Sequence, residues 1–191
     1  DTIFAEPIRV PFDKAGARLY VQVANEILND LDDAIDSFGT SFDLFSHYSG
    51  EGDNEAANAL KGKIMAKLTA LRMLCDSPEL LFNSAGRYKK DPDMGSKYVN
   101  ELHEAGKLDT LKASPKAAAL SKYVTDFLES YEKNKVVIFT SYVHMVKLLA
   151  KELEEYSPQI YTGEMNAKDK EAAKNTFQSD PSSRILISSD A

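Results

Sequence analysis

The sequence predicts an α/β protein in which a long helical hairpin precedes a partial parallel sheet with flanking helices. Two observations carry this. Between Lys135 and Ala191, three short apolar runs alternate with amphipathic stretches: Val136-Val137-Ile138-Phe139, Gln159-Ile160-Tyr161 and Arg184-Ile185-Leu186-Ile187-Ser188. That is the rhythm of parallel strands joined by crossover helices. Ahead of them, apolar residues recur at helical spacing over two long segments separated by a glycine-bearing turn, the pattern of an antiparallel helix pair. The strand runs show no polar alternation, so strands buried on both faces are expected.

In chain order, residues 2–12 hold two prolines and the spaced apolar residues Ile8, Val10 and Phe12, an extended lead-in or edge strand. Asp13 stands where a helix cap belongs. After it Leu19, Val23, Ile27, Leu31 and Ile35 recur every four residues, with Tyr20 and Leu28 beside them. Asp30, Asp32, Asp33 and Asp36 are expected to form a solvated acidic face. Gly39 interrupts, and Phe38, Phe42, Leu44, Phe45 and Tyr48 form an aromatic-rich patch expected to fold back on the helices. Ser49 to Asn54 reads as a flexible turn, and its acids lack calcium-loop spacing.

A second helix is expected from about Glu55 to Cys75, with Leu60, Ile64, Leu68, Leu71 and Cys75 on one face and Lys61, Lys63, Lys67 and Arg72 carrying its charge. Pro78 should end it, and Arg87 to Gly95 reads as an exposed loop. A short helix follows from Ser96 to Ala105, before Gly106. Ser114-Pro115 is a strong helix start, serine capping and proline in the first position. Leu120, Tyr123, Val124, Phe127, Leu128 and Tyr131 line the helix that feeds the first strand.

With 191 residues, 43% apolar and 28% charged, the chain can bury a proper core in one or two domains. No apolar run approaches the roughly 18 residues that span a bilayer, and no signal peptide is visible. The lone Cys75 excludes an internal disulfide and fits a reducing, intracellular setting. Set among Leu71, Leu74 and Leu80, it is expected to be a buried, inert thiol. His47, His103 and His144 lack ligand spacing, so no metal site is expected. Net charge is −7, but residues 1–58 hold 12 acids and 3 bases whereas 59–191 hold 18 acids and 20 bases. A global nucleic-acid footprint is absent, and a local groove in the later part stays open.

The run from Val137 to Tyr142 ends in Thr140 and Ser141 at a strand-to-helix junction. There, backbone N–H groups and the helix dipole favour an anion, often a phosphate. The alternative is that Ser141 merely caps the helix carrying Val143, Val146, Leu149 and Leu153.

Taken together, these blocks resemble the SWI/SNF-type helicase-like ATPases, DNA translocases with two RecA-like lobes. Arg9-Val10-Pro11-Phe12 with Leu19-Tyr20 resembles the end of the first lobe. Leu71-Arg72-Met73-Leu74-Cys75-Asp76-Ser77-Pro78-Glu79-Leu80-Leu81 resembles the lobe junction. Ser114-Pro115-Lys116 resembles the opening of the second lobe, and Val137 to Tyr142 its motif IV. Tyr161-Thr162-Gly163, Lys170 and Phe177 resemble a block with a basic residue seven after the glycine and a Phe seven further on. The usual arginine is Lys170 here, which lacks the bidentate fork. Ile185 to Ala191 resembles the opening of motif V.

The resemblance implies a fragment: a helical protrusion and inter-lobe region over residues 1–112, then the first part of the second RecA-like lobe over 113–191, ending within motif V. It implies DNA-backbone contacts at Thr140, Ser141, Gly163, Lys170, Ser188 and Ser189, and nucleotide coupling at Asp190. ATP and Mg belong to the parent and none is expected on this fragment; double-stranded DNA and the absent first lobe are the implied partners. A cytoplasmic or nucleoid-associated setting follows. No G-x-x-x-x-G-K-[S/T] loop, Asp-Glu-x-His box or arginine-finger motif occurs. No catalytic residue is therefore expected here, and the chain alone should not hydrolyse ATP. Two rival readings are a non-catalytic protein-interaction module using the acidic first helix and aromatic patch, and a generic phosphate-binding domain. The second lacks a Gly-rich loop after any strand.

Overall fold

The computed structural model describes residues 5–39, 42–44 and 55–189. Among the described residues seven α-helices and three strands follow one another: α1 Lys14–Phe38, α2 Glu55–Asp76, α3 Pro78–Lys90, α4 Lys97–Glu104, α5 Pro115–Ser130, β1 Val136–Thr140, α6 Val143–Glu152, β2 Gln159–Tyr161, α7 Ala167–Ser179 and β3 Ile185–Ser189. They divide into two compact units, Pro11–Ala113 and Ser114–Ala191, the latter joined by the chain up to Val10. Helical hairpin and parallel sheet are both present, as expected. Phe45, Tyr48, the turn from Ser49 to Asn54 and Asp190 lie outside the described residues.

In the helical unit, the Asp13 carboxylate accepts from the Gly16 N–H at 2.7 Å and starts α1. Leu19, Val23 and Ile27 are buried in one cluster with Ile64, Leu71 and Leu74 of α2, and Ala34 is buried further along α1. Three expectations for this pair fail. A strict four-residue repeat advances about 40° per step on a helix turning about 100° per residue, so by Ile35 the series has rotated out to solvent. The same rotation brings Asp30 round beneath Leu19, and Asp30 is only 4% exposed. Lys67, expected on the charged face of α2, sits in its buried stripe at 5% exposure.

These two opposite charges are buried together. Lys63 Nζ and Lys67 Nζ each lie 2.7 Å from an Asp30 oxygen, and Lys67 is 3.4 Å from Glu26. Tyr98 Oη donates to Glu26 at 2.8 Å, and the Lys67 ammonium lies 5.5 Å from the Tyr98 ring centroid. Cys75 is exposed, contrary to expectation. The buried stripe of α2 runs through Ile64, Lys67, Leu71 and Leu74, leaving the thiol at its margin.

Pro78 ends α2 but also opens α3, so Arg87 to Lys90 is helical where a loop was expected. The reason is local: the Ser77 hydroxyl accepts from the Glu79 N–H and proline takes the first position. Arg87, Lys89 and Lys90 then lie in the last turn, where the helix dipole favours cations. Ser96 caps α4, and Gly106, at φ 67°, lies just beyond its end. Phe38 and Phe42 stack with ring centroids 6.0 Å apart, and Phe42 and Leu44 pack on the core.

The other unit is a three-stranded parallel sheet in the order β1-β3-β2. Ser114 caps α5 and Pro115 follows it, as expected. Ile138, Ile187 and Ile160 stand in register across one face. Only the central β3 is buried as the apolar runs predict. β1 is an edge strand that alternates, with Ile138 buried and Phe139 70% exposed. The chain crosses from β1 to β2 through α6 and returns to β3 through α7; crossovers of the usual right hand running in opposite directions place their helices on opposite faces. On α5, Val124 and Leu128 are buried while Tyr123, Phe127 and Tyr131 stay exposed. Arg184 donates to the carbonyls of Leu128, Tyr131 and Asn134, and Lys135 to those of Phe177 and Asp180. Each cation thus holds the carboxyl end of a helix, α5 or α7. No helix among the described residues is long and apolar enough to cross a membrane.

Candidate functional site

Because the three strands are parallel, their carboxyl ends meet at one edge of the sheet, the edge where open α/β sheets receive ligands. Thr140 ends β1 directly opposite Ser189 of β3, and Ser188 pairs in register with Tyr161 of β2. Ser141 follows Thr140 into an exposed bend, and Gly163 occupies an exposed turn two residues beyond β2. Lys170 is in the second turn of α7. The six described candidates for backbone contact therefore converge on one end of the unit, although 49 positions separate Thr140 from Ser189 in the chain.

Their exposures differ. Ser141 and Gly163 are exposed and Thr140 and Lys170 half-buried. Ser188 and Ser189 are buried at the end of the central strand, with the Ser188 hydroxyl 3.5 Å from the Ser189 carbonyl. A ligand at this edge would meet these two through main chain.

Ser141 does not cap α6. The cap position is Tyr142, whose own side chain makes no capping hydrogen bond, whereas α1, α3, α4, α5 and α7 all begin with a side-chain cap. The amino end of α6 lies on the edge that carries the other candidates.

The Lys170 ammonium lies 5.7 Å from the Tyr161 ring centroid. No carboxylate pairs with it among the described residues; Lys174 takes Glu171 instead, at 3.9 Å. A cation over an aromatic face is worth about 0.5–1 kcal/mol when exposed, weak enough to yield to a phosphate. Tyr161 is the residue that linear spacing missed, because only the turn after β2 and the first turns of α7 bring positions 161 and 170 together. Lys147 of α6 reaches Glu164 at 3.5 Å and ties the Gly163 turn to that helix. Among the described residues no group of three or more His, Cys, Asp or Glu could hold a metal.

Residues 116–191 match the family model of the helicase conserved C-terminal domain. No match is found among curated proteins. Three solved structures share the fold. The Sulfolobus solfataricus SWI2/SNF2 ATPase C-terminal domain is 18% identical with a TM-score of 0.54, over 94% of this chain and 60% of its own. The Pyrococcus furiosus Hef helicase domain is 12% identical with a TM-score of 0.62, over 99% of this chain and 46% of its own. The C-terminal part of the Fun30 ATPase domain is 14% identical with a TM-score of 0.50, over 94% and 66%. The chain thus spans less than two thirds of each. Residues 116–191 are thus similar to the helicase conserved C-terminal domain, and the chain shares its fold with the C-terminal domain of a SWI2/SNF2 ATPase.

Proposed function

We propose that this chain supplies the second-lobe portion of an ATP-dependent DNA translocase, gripping the phosphates of one strand of a duplex at the carboxyl edge of its sheet. The observation that supports this most is the convergence of Thr140, Ser141, Gly163 and Lys170 on the edge where α6 starts, within the segment that matches the helicase family. Helix starts and exposed turn N–H groups bind phosphate without reading bases, and Lys170 adds a charge that Tyr161 only loosely holds. In this reading residues 1–112 form the protrusion and 113–191 the first part of the second lobe. The first lobe brings the phosphate loop, ATP and Mg, Asp190 couples to the nucleotide side, and lobe closure drives stepping.

The grip is tested in the two-lobed protein with Lys170→Ala. Affinity for duplex DNA should fall alike on all sequences, ATP binding should be unchanged, and the slope of log affinity against log salt should shrink by about 0.9. An unchanged slope with unchanged DNA stimulation of ATP turnover would make Lys170 a simple helix-surface residue. The chain by itself should release no phosphate from ATP with or without duplex DNA. Turnover that follows the pure chain through chromatography would refute the division of labour.

A further inference from the structure

Helix α1 carries more apolar surface than its own fold uses. Leu19, Val23, Ile27 and Ala34 fill the core stripe, yet Val21, Leu28 and Ile35, one heptad apart, are 56%, 58% and 57% exposed. Ala17, exposed, and Ala24 and Leu31, half-buried and also touching the core, fall between them at the alternating positions. This is the a/d pattern of a coiled-coil seam, bordering the core stripe through Ala24 and Leu31, and its row of exposed apolar side chains at Val21, Leu28 and Ile35 marks an association surface.

The same helix sorts its charges by end. Lys14 and Arg18 lie in its first turns and Asp32, Asp33 and Asp36 in its last two, with no acid in the first turn and no base in the last. That opposes the helix dipole, at about 0.3–1 kcal/mol for each misplaced charge near an end, so the helix gains nothing from it alone.

We propose that α1 pairs with α1 of a second copy of this chain in an antiparallel, two-fold-symmetric coiled coil. Val21 then meets Leu31 of the second copy, Leu28 meets Ala24 and Ile35 meets Ala17, so large side chains face small ones in most layers. Along the solvent flank Arg18 faces Asp32 of the second copy, and Asn25 faces its own equivalent at the two-fold axis. Each basic amino end comes to lie beside an acidic carboxyl end. A parallel pair would instead set the three aspartates against their own copies. Apolar contact supplies affinity, and the exposed ion pairs, worth at most about 1 kcal/mol each, set the orientation.

Sedimentation equilibrium on the chain with Cys75→Ser tests this. A concentration-dependent dimer is expected, and Leu28→Glu, at an exposed position, should leave a monomer with unchanged helical circular dichroism. Arg18→Asp and Asp32→Arg should each weaken dimerisation about tenfold, or about 1.4 kcal/mol, and the double swap should restore it. Under oxidation Asn25→Cys should form a covalent dimer. Arg18→Cys should not, because its copies lie about 21 Å apart along the seam at 1.5 Å per residue. A monomer at every concentration, a dimer indifferent to Leu28→Glu, or self-crosslinking through position 18 would each overturn the proposal.

Discussion

Asp30→Ala is expected to destabilise the helical unit by about 3–5 kcal/mol, the usual cost of leaving one member of a buried ion pair behind. Asp30 holds two ammonium groups at 2.7 Å, and Lys63 can follow its side chain out to water. Lys67 cannot, since its side chain is almost wholly buried, and it would keep only Glu26 at 3.4 Å and the face of Tyr98. Replacing both charges, as Asp30→Leu with Lys67→Leu, should recover most of the loss, because the desolvation of both ions disappears with them. Urea unfolding of Asp30→Ala and of the double variant at pH 7 measures this. A loss below about 1 kcal/mol for Asp30→Ala would show the pair to be hydrated.

The same cluster sets a pH dependence. Burial pushes the Asp30 and Glu26 carboxyls up. Hydrogen bonds from Lys63 and Lys67 to Asp30, and from Gln22 and Tyr98 to Glu26, outweigh it and hold both below the ordinary range. A carboxylate with a depressed folded-state pKa stabilises fully above its unfolded value of about 4, and loses that contribution as pH falls through the folded value. Lys63 is raised, chiefly by its hydrogen bond to Asp30. Its contribution is present below the ordinary lysine value and fades as pH rises past it. Stability of the parent chain should therefore fall steeply below about pH 4, and Asp30→Ala should flatten that acid limb.

Gly95→Ala is expected to cost at least about 3 kcal/mol, the upper range for overpacking. A β-carbon there would stand 2.3 Å from the Ser84 carbonyl oxygen, 2.4 Å from the Tyr88 nitrogen and 2.9 Å from its α-carbon. All three are backbone atoms of α3, so no side-chain rotation can relieve the clash. The next residue, Ser96, both caps α4 and donates its N–H to the Ser84 hydroxyl at 3.1 Å, so any shift at Gly95 pulls α4 from α3. The unfolding midpoint should drop by roughly 12 °C or more. Gly62→Ala and Gly86→Ala are the controls. Both glycines are helical with nothing within 4 Å of the added carbon, and alanine there should stabilise by about 0.5–1 kcal/mol. Equal behaviour of all three variants would contradict the close approach at Gly95.

What the sequence could determine was what neighbouring residues settle among themselves. Asp13, Ser96 and Ser114 cap helices because a short side-chain oxygen meets an N–H two or three residues on. Val136 to Phe139 and Ile185 to Ser188 extend because branched side chains crowd a helix. Parallel strands place Thr140, Ser141, Gly163 and Ser188 at one edge, but of these the residues by themselves pointed only to Thr140 and Ser141, and the family resemblance added the other two. The Ser77-Pro78 signal was equally local, and reading Pro78 only as a stop hid the helix it starts. Tertiary structure alone decided the rest. Whether Asp30 meets water depends on how far α1 has turned by that residue and on which atom of α2 stands opposite, here a lysine 2.7 Å away. Whether Phe139 is covered depends on strand order, which leaves β1 at an edge. The need for glycine at 95 comes from the backbone of another helix. Burial and charge pairing are properties of pairs of elements, and a single chain of letters specifies them only through the packing it finally adopts.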